Sequence, residues 1–141
     1  MNKWSTFFLQ TAEHISHLSK DPSTKCGAVI CDDKNRIVSM GYNGGPIGID
    51  DEWLLSEGRD RKIATTIHAE VNAILFARGS TWGNSIYIYP LPPCSNCASL
   101  IIQSGIKKAY FLTGNPQLRE QWNCDLSLEL FDRAKVEWEI L

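Results

Sequence analysis

The chain has 141 residues, 43% of them hydrophobic and 21% charged, which suits one domain whose folding buries roughly two-thirds of the unfolded surface. Its formal net charge of −2 leaves no bulk positive field for a nucleic-acid backbone, so a small substrate fits better than a polymer. The start Met1-Asn2-Lys3-Trp4 runs into polar residues, and no apolar run is long enough for a leader or a membrane span; we expect a single cytoplasmic domain over 1–141 without a membrane partner. Five cysteines without a leader argue against a disulfide framework and for thiols that bind metal or are buried, and Cys26, Cys31 and Cys124 are read as buried.

Trp4, Phe7, Phe8, Thr11, Ala12, Ile15 and Leu18 recur at three- and four-residue steps, predicting a core-facing helix that ends before Asp21-Pro22. His14 and His17 lie on it without an acidic or thiol partner and are read as surface or satisfied-core histidines. Cys26 to Cys31 and Arg36 to Gly41 read as two antiparallel strands around the turn Asp32-Asp33-Lys34-Asn35. From Gly44-Gly45-Pro46 to about Ile67 the composition predicts a loop, with room for a helical turn. Within it Arg59 to Lys62, like Lys107-Lys108 further on, is read as solvated surface charge that could still meet a small anion.

A helix is predicted from His68 to Arg78, stopped by Gly79, then a strand over Ser85 to Tyr89, a helix over Cys94 to Ser104 and a strand over Ala109 to Thr113. Leu126 to Ala134 forms a further helix with Asp125 as its N-cap, and Val136 to Ile140 alternates like an edge strand. The sum is an α/β protein, a mixed sheet with helices on both faces.

His68-Ala69-Glu70 and Pro93-Cys94-Ser95-Asn96-Cys97 carry the chemistry. Cys94 and Cys97 share one helical face at a helix entry, where thiol pKa falls and a thiolate clamp forms. A redox dithiol would leave His68 unexplained, and a structural zinc site wants a fourth protein ligand that Cys26 and Cys31 have the wrong spacing to supply. His68, Cys94 and Cys97 therefore form a three-ligand zinc site of catalytic type. His68 and Glu70 lie roughly 200° apart on an ideal helix, so His68 must sit at the helix entry if both are to reach one point. Glu70 is then the proton carrier and not a ligand. H-x-E followed by P-C-x-x-C is the pattern of zinc-dependent base deaminases.

With these residues placed, the sequence resembles the deoxycytidylate (dCMP) deaminases of the cytidine deaminase-like superfamily. The likeness runs from the N-terminal helix through Asp21-Pro22-Ser23-Thr24-Lys25-Cys26-Gly27-Ala28, Gly41-Tyr42-Asn43-Gly44-Gly45-Pro46, the two zinc motifs and Gln103-Ser104-Gly105-Ile106-Lys107-Lys108, about three-quarters of the chain. It implies a three-layer α/β/α fold with a mixed five-stranded sheet and zinc-dependent conversion of dCMP to dUMP with release of ammonia; the segment between Pro46 and His68 is shorter than in members with an additional structural zinc and offers no ligand set for one, so one Zn²⁺ per subunit is expected. It also implies that Asn43 contacts the deoxyribose and that Ser23 and Lys25 lie near the 5′-phosphate. A homo-oligomer, commonly a hexamer, is implied, with dCTP and dTTP as effectors and Mg²⁺ accompanying a bound triphosphate; Trp122, Phe131 and Trp138 are available for assembly. Thr113-Gly114-Asn115-Pro116 departs from the family, which often carries Asp and Tyr there.

The zinc motifs alone leave relatives open. A tRNA adenosine deaminase-like enzyme would want a basic docking face. Deaminases of nucleosides, free bases or riboflavin precursors would dispense with phosphate contacts near Lys25. The motifs do not separate dCTP from dCMP, and a zinc-stabilised nucleotide-sensing subunit would bind nucleotide without releasing ammonia.

Overall fold

A computed structural model describes residues 2–141. Helix α1 (Lys3–Ser16) starts where Asn2 Oδ1 accepts the Ser5 N–H at 2.9 Å. Phe8 and Ala12 are buried, but Trp4, Phe7 and Leu18 are 42%, 53% and 62% exposed. Its apolar arc is wider than the strip of sheet beneath it, so the expected core-facing stripe is only partly core. His14 and His17 are exposed, which selects the surface reading over a core one.

Strands β1 (Gly27–Cys31) and β2 (Ile37–Tyr42) form the expected hairpin, whose turn is held by Asp32 Oδ1 accepting the Lys34 and Arg36 N–H groups. The stretch expected to be mostly loop contains two short helices, α2 (Asp51–Ser56) and α3 (Arg59–Thr65). Leu54 is the only buried residue of α2, and α3 has none, so neither writes a sustained apolar period into the sequence.

The chain continues through α4 (Ala69–Phe76), β3 (Ser85–Tyr89), α5 (Ser95–Gln103), β4 (Lys108–Phe111), α6 (Pro116–Gln121), α7 (Cys124–Ala134) and β5 (Glu137–Ile140). Helix α6 occupies the departing segment: Asn115 Oδ1 accepts the Gln117 N–H at 2.8 Å, and Pro116 fits the first turn, where its missing N–H costs nothing. Asp125 does not cap α7. The cap position is Asn123, in left-handed conformation without a side-chain cap bond, and Asp125 in the first turn instead pairs with Arg119 at 2.9 Å.

The sheet order is β2-β1-β3-β4-β5, with β1 antiparallel to both neighbours and β3, β4 and β5 mutually parallel. Alternation divides its side chains. Ala28, Ile30, Ile86, Ile88, Ala109 and Phe111 pack under α4, α5 and α7, while Val29, Cys31 and Tyr87 pack under Phe8 and Ala12 of α1. This is the expected mixed five-stranded, three-layer arrangement, although α1 alone forms one outer layer. Two glycines set the layer spacing. A Cβ on Gly27 would lie 1.9 Å from the Ala12 carbonyl oxygen, and one on Gly41 would lie 2.5 Å from both the Ala69 oxygen and the Ala73 nitrogen.

Candidate metal centre and its cavity

His68 and Cys94 occupy equivalent places, as the N-cap residues of α4 and α5, both with extended backbone. Each side chain thus leaves its helix at the end where N–H groups are unpaired and the dipole is positive, which favours thiolate sulfur. Cys94 Sγ accepts the Cys97 N–H at 3.4 Å. His68 is held from behind, because Ile67 and Gly44 exchange backbone hydrogen bonds at 2.8 and 3.1 Å. Helix α4 is fastened to β2 by Asn72 Nδ2 donating to the Tyr42 carbonyl and Ser39 Oγ donating to that of Ala73. Ser127 Oγ donates to the Pro93 carbonyl at 2.7 Å and fixes the entry to α5.

His68 Nδ1 lies 3.4 Å from Cys94 Sγ and 3.3 Å from Cys97 Sγ, and the three ligand atoms all fall within 4.8 Å of one another. Tetrahedral zinc with ordinary Zn–N and Zn–S bonds separates nitrogen from sulfur by about 3.5 Å, so the donor set fits that ion. The Cys97 S–H bond to Cys94 is the largest influence bringing the Cys94 thiol down to about 4, against burial, and the same bond together with burial drives the Cys97 thiol up. The hydrogen bond with Cys94 raises the His68 pKa, with burial opposing it. Glu70 is 5% exposed, and burial raises its carboxyl even though the nearby His68 ring favours the charged form. Cys31 and Cys124 are buried as expected, whereas Cys26 is half-buried and lines the cavity beside this centre; burial pushes the Cys26 thiol up to about 12 and those of Cys31 and Cys124 up to about 11.

A cavity of about 140 Å³ opens onto this centre, with His68, Glu70 and Cys94 in its wall. Ser23 and Asn43 also line it. Asn43 Oδ1 accepts the Cys26 N–H at 2.8 Å and its Nδ2 donates to the Thr24 carbonyl at 2.9 Å, so it clamps the segment before β1 as well as facing the cavity. Lys25 is exposed and is not part of the lining.

Several lining residues were missed in the sequence. Trp122 meets the His68 ring edge to face at 5.6 Å, and its carbonyl accepts the Ser95 N–H at 3.2 Å. Arg59, Lys62, Ile63 and Thr66 all line the cavity; of the run read as solvated charge able to meet a small anion, Arg59 to Arg61 are exposed and Lys62 is half-buried. Lys62 is 15% exposed in its side chain; its Nζ donates to Asp21 Oδ1 at 2.8 Å and to Ser23 Oγ at 3.2 Å. Burial works against ionisation of Asp21, but the Lys62 ammonium and the Ser23 and Thr24 N–H groups outweigh it and hold the carboxyl below its ordinary value. The signal that could have revealed this wall is the 59, 62, 63, 66 spacing, one face of a helix.

Residues 2–113 match the family model described as the cytidine and deoxycytidylate deaminase zinc-binding region. An uncharacterized deaminase of Aliivibrio fischeri is 43% identical, with the alignment covering 97% of this chain and 92% of that protein. The probable deoxycytidylate deaminase of Caenorhabditis elegans is 41% identical over 94% of this chain and 66% of its own length, and the deoxycytidylate deaminase of Homo sapiens 39% identical over 79% and 65%. The chain therefore spans about two-thirds of these animal relatives. The crystal structure of dCMP deaminase from the cyanophage S-TIM5 in complex with dCMP and dUMP superimposes with a TM-score of 0.77 over 100% of this chain and 99% of that one, at 23% identity, a likeness of fold.

Proposed function

The chain belongs to the cytidine and deoxycytidylate deaminase zinc-binding family, and from that premise we propose that it hydrolyses dCMP to dUMP and ammonia, supplying a dTMP precursor in the cytoplasm. The observation that carries the reading is the convergence of His68, Cys94 and Cys97 beside buried Glu70 on one small-molecule cavity. Relatives named as deoxycytidylate deaminases support the choice of substrate. No helix of the described residues is long and apolar enough to cross a membrane.

His68, Cys94 and Cys97 would hold the ion. The chemistry zinc supplies in such a site is Lewis acidity that makes water a nucleophile near neutral pH. Glu70 accepts a proton from the attacking water and delivers it to the ring nitrogen next to C4. Once the C4–O bond has formed, Glu70 carries the proton remaining on that oxygen to the amine, and the C4–N bond breaks to release ammonia and leave the C4 carbonyl. Ser23, Lys25 and Asn43 are assigned to the sugar-phosphate end, Asn43 and Ser23 from the cavity wall and Lys25 from the adjoining surface. Ammonia release from dCMP, dCTP, CMP, deoxycytidine and a deoxycytidine oligonucleotide, measured side by side, tests the proposal. dCMP should be the best substrate, and the reading fails if another clearly exceeds it.

Family likeness further supports a homo-oligomer, a hexamer being common, regulated by dCTP and dTTP with Mg²⁺ accompanying the triphosphate.

A further inference from the structure

We infer that the cavity-facing side of α3 is the phosphate-binding wall of this site, with Arg59 as its principal cation; the inference rests on the nucleotide reading above. Arg59, Lys62 and Ile63 follow the i, i+3, i+4 spacing of one face of α3, Thr66 follows as its C-cap, and all four line the cavity. α3 contributes no residue to the buried core, so packing alone does not account for this stripe. Thr66 lies two residues before the metal ligand His68, while Arg59 is seven residues further back, about 10 Å along the wall at helical rise. That separation is of the order of a mononucleotide's length from base to phosphate.

The charges facing this part of the cavity do not cancel. Asp21 is matched by Lys62, whose remaining recorded donor contact goes to Ser23 Oγ. Among the described residues Arg59 has no carboxylate within 4.0 Å, so its guanidinium adds an uncompensated positive charge and several donors. Lys62, held by Asp21, keeps a second cation and the Ser23 hydroxyl close together. Lys25 lies outside the lining. The ligand class is a nucleoside 5′-monophosphate, with its base toward His68 and Glu70 and its phosphate toward Arg59.

The test is equilibrium binding of dUMP and of deoxyuridine to the zinc-loaded full chain by calorimetry, which requires no turnover. The wild type should bind dUMP roughly ten- to a hundredfold more tightly than deoxyuridine, the scale of a charge-assisted contact. Arg59→Gln should bring that ratio toward one, Arg59→Lys should restore part of it, and Lys34→Gln, an exposed cation in the β1–β2 turn outside the lining, should leave it unchanged. Arg59 is exposed and without an ion pair, so its variants should fold like the wild type. An unchanged ratio in Arg59→Gln, a collapsed ratio in Lys34→Gln, or no preference in the wild type would each overturn the assignment. An intact, Arg59-dependent ratio with no ammonia released from dCMP would instead reject the reaction and leave the phosphate wall standing.

Discussion

At Glu70 a carboxylate is kept buried beside three metal-ligating atoms, and its role separates from theirs by substitution. Cys97→Ala removes one of three ligands, so metal analysis should find the zinc lost; a variant retaining its full complement would exclude the site. Glu70→Gln removes the proton acceptor but no ligand. It should keep zinc and the native thermal transition while losing roughly 10²-fold or more in turnover, as expected when a general acid–base is lost. Near-normal turnover would move the proton transfers to another group. The sequence revealed this part of the site because motif spacing and helix geometry together demand His68 at a helix entry. It did not reveal Trp122, which reaches the His68 ring from the far side of the sheet sequence and belongs to no local pattern.

Among the elements, α1 and α3 show how packing reaches the site. Gly27→Ala would drive a Cβ into the Ala12 carbonyl and push α1 off β1, an overpacking cost of about 1–3 kcal/mol. Gly44→Ala makes a suitable control, since a Cβ there meets nothing within 4 Å. Calorimetric melting should show a clear drop for the first and a small change for the second; equal melting temperatures would refute the close-packing argument. The tie between α3 and the segment before β1 depends on acid. The Asp21 pKa is lower folded than its unfolded value of about 3.9, so its stabilisation is fully present above that value and is lost as pH falls through the folded pKa. Melting temperature should accordingly fall more steeply below about pH 4 in the wild type than in Asp21→Asn. Parallel curves would show that the pair contributes nothing to folding.

For the whole molecule, the aromatic residues that suggested an assembly surface are largely used within the subunit. Phe131 is fully buried, Trp138 stacks on Phe111 at 6.1 Å, and Trp122 lines the cavity. Large apolar groups lie exposed elsewhere, including Trp4 and Phe7 on α1 and Leu75 and Phe76 on α4. Those faces now motivate the proposed homo-oligomer. Sedimentation at micromolar concentration should give a species larger than the 15.9 kDa monomer, and Phe7→Ser or Phe76→Ser should shift it toward monomer. A monomer alone in the wild type would reject assembly.

The sequence by itself determined that His68, Cys94 and Cys97 form one donor set with Glu70 beside it, the hairpin, and the positions of the long helices and core strands. These rest on short-range rules, in which spacing sets which side chains share a helical face and alternation sets which side of a strand is buried. Tertiary structure alone decided that α3 lines the cavity, that Lys62 meets Asp21 across 41 residues, and that Lys25 stands outside the lining. Short helices with few buried residues leave no sustained apolar period to read. Which charges meet is then fixed by where the long-range packing of the sheet, α1 and α4 brings the loops together, a property that no local segment of sequence contains.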